Sequence, residues 1–263
     1  MRSSAPVKPS DTTLIEATEL SKQYGASRVV ENISLTIARG ETLGLVGESG
    51  SGKSTTARML LRLIEPTSGH ISFDSVDLLA LRTRELRRMR RRMQIVFQDP
   101  FAALNPRMRI RDILAEPFAI HQERPEEGIV LRLERLLHEV GLEISALPRY
   151  PHEFSGGQRQ RINIARALAL KPEFLVLDEP VSALDASVGA QVINLLRTLQ
   201  RRHALTYLFI SHSMPLVRYL CDRVAVMQGG RIVEIGDTLE VCDNPRQEYT
   251  QHLIEATPEL AVY

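Results

Sequence analysis

The chain contains no tryptophan and only two cysteines, and 33 lysines and arginines stand against 32 aspartates and glutamates. Each shortage excludes something. Cys221 and Cys242 lie far apart, with no CxxC or Cys/His cluster beside either, which removes a zinc site and a disulfide framework. At 263 residues a chain buries roughly three quarters of its unfolded surface and needs neither. A reducing, cytoplasmic setting is the expectation. No apolar run reaches the ~18 residues that a bilayer-crossing helix requires, so the chain cannot span a membrane alone. Residues 1–12 lack the apolar core of a signal peptide and read as a loose leader, without export, before a single domain at 13–263. A net charge of +1 supplies no whole-molecule attraction to nucleic acid. No repeat with a period of about 20–50 residues is visible, so the chain is one unit and not a tandem pair.

What is present alternates between two periodicities. From Thr13 to Ile37 short apolar runs flank turn residues at Tyr24, Gly25 and Ala26, which predicts strands. The buried-strand run Thr42–Val46 leads into a glycine-rich loop and then a helically spaced segment. A basic helix and an apolar strand follow over residues 81–97, then a largely helical stretch from Ile110 to Leu147. A helix opening at Ser155 ends before Lys171 and Pro172. The run Phe174–Leu177 is apolar on both faces, as a parallel strand covered by helices must be. A helix, a third buried strand ending at His212, a short helix and a hairpin around Gly229 and Gly230 complete the chain. Such alternation predicts an α/β core with a mostly parallel sheet.

Gly47, Glu48, Ser49, Gly50, Ser51, Gly52, Lys53 and Ser54 match GxxxxGK(S/T) in the required strand-to-helix context, with Thr55 opening the helix. A triphosphate needs many converging backbone N–H donors, and glycines let the loop curl while the helix N-terminus adds its positive end. Lys53 is placed to reach the β and γ phosphates of ATP and Ser54 to ligate Mg²⁺. Asp178 and Glu179 end a buried strand, where adjacent carboxylates are costly unless a metal or partner compensates. Asp178 suits the Mg²⁺ shell, and Glu179 suits polarisation of the attacking water.

With Ser155-Gly156-Gly157-Gln158 added in this order, the chain resembles the ATP-binding cassette family from about Thr13 to Glu259. The resemblance implies an α/β, P-loop NTPase ABC-type core with a mostly parallel sheet. It also implies an N-terminal antiparallel β subdomain and a helical signature subdomain at about 99–165. It implies that Ser155–Gln158 binds the γ-phosphate held by a second cassette, so that two subunits, identical or different, sandwich two ATP molecules. Tyr24 resembles the adenine-stacking aromatic, and Gln98 the glutamine that contacts Mg²⁺ or the lytic water. Asp185, in Ser182–Asp185, resembles a residue signalling across the dimer, and His212 the switch histidine on the γ-phosphate. Two departures are visible: Phe154 stands where Leu is usual, and Ser213 where Asp is commoner, although Ser can still cap the next helix.

The run Phe97–Met108, the segment Tyr150–Phe154 and the tail Asn244–Thr250 are similar to the oligopeptide, dipeptide and nickel importer subfamily. That likeness implies the ATPase subunit of an importer for peptides or a related small solute, at the cytoplasmic face of the inner membrane. It implies two separate permease subunits and, indirectly, a solute-binding protein. The competing reading is a soluble cassette ATPase acting on nucleic acid or ribosomes, which usually has tandem cassettes or a long coiled-coil insertion. Arg82–Arg92 holds seven arginines, with Leu86, Met89 and Met93 spaced as an apolar stripe on one helix. A solvated face, contact with the permease or anionic headgroups, and nucleic acid are the readings of that density, in that order. No interleaved aromatic platform supports base stacking, so nucleic acid is not expected as a partner.

Overall fold

The computed structural model describes residues 13–256, and the leader expected at 1–12 lies outside them. Three strands open the fold: β1 (Thr13–Tyr24), β2 (Ser27–Ala38) and β3 (Thr42–Val46). After helix α1 (Lys53–Leu60), the strands β4 (Ser68–Phe73) and β5 (Val76–Asp77) return to the first two. They complete an antiparallel sheet in the order β2-β1-β4-β5. Helix α2 (Thr83–Met89) leads to β6 (Met93–Val96). The chain then leaves the sheets for α3 (Pro100–Ala103), α4 (Ile110–His121), α5 (Ile129–Glu139) and α6 (Gly156–Leu168). Strand β7 (Phe174–Asp178), helix α7 (Ala186–His203), strand β8 (Thr206–Ser211) and helix α8 (Met214–Leu220) follow. The hairpin β9 (Arg223–Gln228) and β10 (Arg231–Asp237) precedes α9 (Thr238–Asp243) and α10 (Glu248–Glu255).

The second sheet runs β10-β9-β3-β8-β7-β6, parallel throughout except for the edge strand β10. Every residue of β3, β7 and β8 is buried, which is why these strands carry no polar alternation. Successive side chains point to opposite faces, so one strand serves two cores. Phe174, Val176, Leu208 and Ile210 face α1 and the antiparallel sheet, whereas Leu175, Leu177, Tyr207 and Phe209 face the helices α4–α8.

The arginine-dense segment divides: Arg82, Arg84, Arg87 and Arg88, at and along α2, are exposed as a solvated face would be, whereas Arg90, Arg91 and Arg92, beyond the end of that helix, act as clamps. Arg92 reaches Glu173 and Asp74 at 2.5 Å each, and Arg39 joins the same two carboxylates, binding the turn after β4 to the starts of β6 and β7. The bonds from Arg92 hold both carboxyls below their ordinary range. Arg91 pairs with Glu123 at 2.6 Å, and Arg90 donates to the Arg62 carbonyl at 2.5 Å. The expected stripe also needs correction: the helix stops at Met89, and Met93 is the first residue of β6. Its burial comes from the strand, in the core that also takes Met89. Capping at Ser213 is a second correction, because it occupies the N-cap of α8 yet its side chain makes no capping hydrogen bond.

Candidate active site

In an open parallel sheet, ligands bind beyond the carboxyl ends of the strands. Here β3, β8, β7 and β6 lie side by side and end together, delivering Gly47, Ser211, Asp178 and Val96 to one edge. The loops that leave those ends carry nearly all the polar residues singled out above.

Gly47 is required at its position, since its φ is +148° and a Cβ there would stand 2.1 Å from the Met227 carbonyl oxygen. The loop thus folds against β9, and its later residues Glu48, Ser49 and Gly50 are exposed while Ser51 and Gly52 are buried. Lys53 is 5% exposed, and its ammonium donates to the carbonyls of Gly47 at 2.8 Å and Glu48 at 2.7 Å. Burial pulls that ammonium below its ordinary 10.5, opposed by Glu179, Asp178 and Glu48. One residue on, the Ser54 hydroxyl donates to Asp178 Oδ1 at 3.0 Å, while Thr55 is half-buried in the first turn of α1. Two hard oxygen donors side by side fit a small divalent cation that keeps waters and phosphates as its other ligands. Among the described residues no group of three His, Cys, Asp or Glu side chains is placed to hold a metal unaided.

Burial is also the main influence on Asp178 and pushes its carboxyl above the ordinary 3.8. A carboxylate raised in the folded state destabilises the fold once ionised, with the penalty absent below the unfolded value and complete above the folded one. Asp178→Asn is therefore expected to raise the melting temperature of the ligand-free protein at neutral pH, by about 2–4 °C for each kcal/mol of relieved penalty. The gain shrinks as pH falls toward the unfolded value. Thermal melts across pH check this, and an equal or lower melting temperature at neutral pH contradicts it.

Glu179 adopts φ 46°, a left-handed conformation rare for a side chain of this size. Its amide donates to the Ile210 carbonyl at 3.1 Å, and the Ser182 hydroxyl donates to its carbonyl at 3.1 Å, so both neighbours impose the turn. The turn aims the carboxylate at two other residues. Gln98 Nε2 donates to Glu179 Oε2 at 2.9 Å, and His212 Nδ1 lies 3.5 Å from the same oxygen. Gln98, Glu179 and His212 thus converge on one atom, although Gln98 touches the glutamate and Ser182 and not the Ser54–Asp178 pair. A cleft of about 710 Å³ opens beside Glu179 and His212, walled by Val181, Leu184 and Leu216.

Ser155 caps α6, its hydroxyl accepting from the Gln158 amide at 3.3 Å while Gln158 Oε1 accepts from the Ser155 amide at 3.1 Å. These bonds close within the motif and leave Ser155 and Gln158 exposed. Gly157 is needed for space, because a Cβ would meet Val188 at 2.3 Å. Gly156 likewise lies against Leu184, so the motif packs beside Asp185, the N-cap position of α7. Tyr24 ends β1 half exposed, with the Lys22 ammonium 4.9 Å over its ring. The sequence named Ser182 only as the start of the Ser182–Asp185 run and gave Gln160 no role. Ser182 joins the Gln98–Glu179 contact, and the fully buried Gln160 donates to the Pro180 carbonyl at 2.7 Å. Gln160 could have been found as a polar residue on the buried face of α6, where Ile164 and Ala167 follow.

Residues 30–182 match the family model described as ABC transporter. A Brucella ovis protein provisionally named a peptide import ATP-binding protein is 52% identical over 252 residues, covering 94% of this chain and 80% of that one. The oligopeptide transport ATP-binding protein OppF of Bacillus subtilis is 47% identical over 251 residues, covering 93% of this chain and 82% of that one. Among solved structures, cbiO1 of Clostridium perfringens, part of the ABC transporter complex cbiONQ, superposes with a TM-score of 0.80. It is 28% identical and covers 93% of this chain and all of that one.

Proposed function

The chain belongs to the ABC transporter family, and on that premise we propose that it is the ATP-hydrolysing subunit of a bacterial peptide importer. The single observation that carries the reading is the edge where four parallel strands end. The phosphate loop, the Ser54–Asp178 pair and the Gln98–Glu179–His212 convergence all stand there.

ATP enters with its phosphates in the loop after β3, at the positive end of α1. Lys53 exchanges the Gly47 and Glu48 carbonyls for the β and γ phosphate oxygens, a charge-assisted contact stronger than the ones it leaves. Ser54 and Asp178 would hold Mg²⁺, which would supply positive charge to the phosphates. Glu179 accepts the proton of a water whose oxygen bonds to the γ-phosphorus as the bridging bond to the β-phosphate breaks. Gln98 and His212 keep that carboxylate aimed. Tyr24 offers the adenine a half-exposed ring.

The exposed Ser155–Gln158 turn faces a second cassette, identical or different, and each ATP is enclosed between one subunit's loop and the other's turn. Among the described residues no helix is long and apolar enough to cross a membrane. The likeness to peptide and oligopeptide import ATP-binding proteins supports a transport path in two separate permease subunits, fed by a solute-binding protein, with this chain peripheral at their cytoplasmic side. Closure of the cassette pair on ATP drives the permeases outward-facing, and hydrolysis resets them. Purifying the tagged protein from its own cells in mild detergent tests this. The expected companions are two multispanning proteins, with a peptide-binding protein joining on crosslinking. Recovery with DNA or ribosomes and no membrane protein overturns the reading.

A further inference from the structure

The tail from Asn244 to Thr250 takes no part in the chemistry above, yet it reaches the phosphate loop. The hydroxyl of Tyr249, in the first turn of α10, accepts a hydrogen bond from the Glu48 amide at 3.0 Å, across 201 positions of sequence. That amide and the Gly47 carbonyl are the two ends of one peptide unit. The carbonyl end accepts from Lys53 at 2.8 Å. The unit is gripped from both sides, by a phenol on its nitrogen and an ammonium on its oxygen. A hydrogen bond at one end of a peptide polarises the other, so the two grips reinforce each other while ATP is absent; once Lys53 turns to the phosphates, the Tyr249 bond alone holds the unit.

The base from which Tyr249 reaches is itself fixed. The amides of Arg246 and Gln247 donate to the Glu234 carboxylate at 2.9 and 3.2 Å, and Arg246 pairs with Glu240 at 2.5 Å. Thr250 is fully buried, and Tyr249, Leu253 and Ile254 pack against the core on the helical side of the sheet. A hydroxyl held this firmly can restrain a loop whose next two residues, Ser49 and Gly50, are exposed.

We propose that Tyr249 is a positioning residue for ATP: its hydroxyl fixes the Gly47–Glu48 peptide unit, presets the phosphate loop for the incoming phosphates, and ties ATP affinity to the seating of α10. Ordering the loop before ATP arrives removes an entropy cost from binding. The proposal rests on the loop being the ATP site.

The test compares Tyr249→Phe, which keeps the ring and its packing, with Thr250→Val. The Thr250 hydroxyl is buried in the same helix and makes no hydrogen bond among the described residues. Binding of ATP is measured by calorimetry, and KM and kcat by phosphate release, with melting temperature alongside. Tyr249→Phe is expected to raise Kd and KM for ATP about three- to tenfold, the size of one neutral hydrogen bond. Its kcat stays within about twofold of parental, because the contact acts on binding and not on the transition state alone. Thr250→Val leaves Kd and KM at the parental values. Parental Kd and KM in Tyr249→Phe overturn the proposal whatever its melting temperature. An equal rise in Thr250→Val overturns it too, since the effect then belongs to the helix and not to the hydroxyl. Failure of the parental protein to bind ATP is a different result, and it removes the phosphate-loop reading on which the proposal stands.

Discussion

Glu179→Gln is expected to bind ATP within about twofold of the parental protein and to lose about 10²- to 10⁴-fold in turnover, the range that a positioned general base contributes. The substitution is close to isosteric. It preserves an oxygen that can still accept from Gln98, whose donor atom stands 2.9 Å away, and it leaves the left-handed turn with its bonds to Ile210 and Ser182. What disappears is the ability to take a proton from water. Binding and chemistry should therefore separate, and the loaded cassettes should persist as a dimer because the step that opens them has stopped. Size exclusion with ATP and magnesium checks the dimer, and single-turnover phosphate release checks the chemistry. Hydrolysis near the parental rate rules Glu179 out as the base.

Lys53→Ala attacks the other half of the site. Its ammonium is almost fully buried and held by the Gly47 and Glu48 carbonyls, poised beside the space the phosphates enter. One charge-assisted hydrogen bond is worth about 1.5–3 kcal/mol, so ATP affinity should fall about 10- to 150-fold. The ligand-free fold should change little, because two effects oppose each other. Two carbonyls lose a donor, while a cation whose charged form burial disfavours is gone. Calorimetry with ATP and a melt without it separate these effects. Unchanged affinity would count against the phosphate loop as the site, and a collapsed melt would assign Lys53 to structure instead.

The parts of this protein that could be read in advance are those whose physics is local. The strands β3, β7 and β8 stand out because burial on both faces leaves an unbroken apolar run, and the loop after β3 because phosphate binding demands glycines at fixed spacing. The positions of Gln98 and His212 came from resemblance, since a lone glutamine or histidine carries no spacing signal. Their meeting on Glu179 Oε2 depends on β6, β7 and β8 lying in a row, which no local pattern states. Strand β5 was missed because two residues are too few for any periodicity, and β4 because only Ile71 and Phe73 of its six residues are buried. Arg92 was misjudged for a similar reason. Density of charge within a segment says nothing about Asp74 and Glu173, which arrive from elsewhere in the chain. The N-cap at Ser213 failed because residue preference is statistical and the geometry of one turn is not.

Adjacent residues of β7 and β8 belong to different cores, and this makes the six-stranded sheet a partition wall. On one side stand α1 and the antiparallel sheet, which hold the phosphate loop. On the other stand the helices α4–α8. A lineage adapting to a new membrane partner could rebuild α4 and α5 residue by residue while the contacts of α1 with the sheet, and the bond from Glu48 to Tyr249 of α10, stayed as they were. The energy-converting half would then be inherited intact, and the coupling to cargo revised around it.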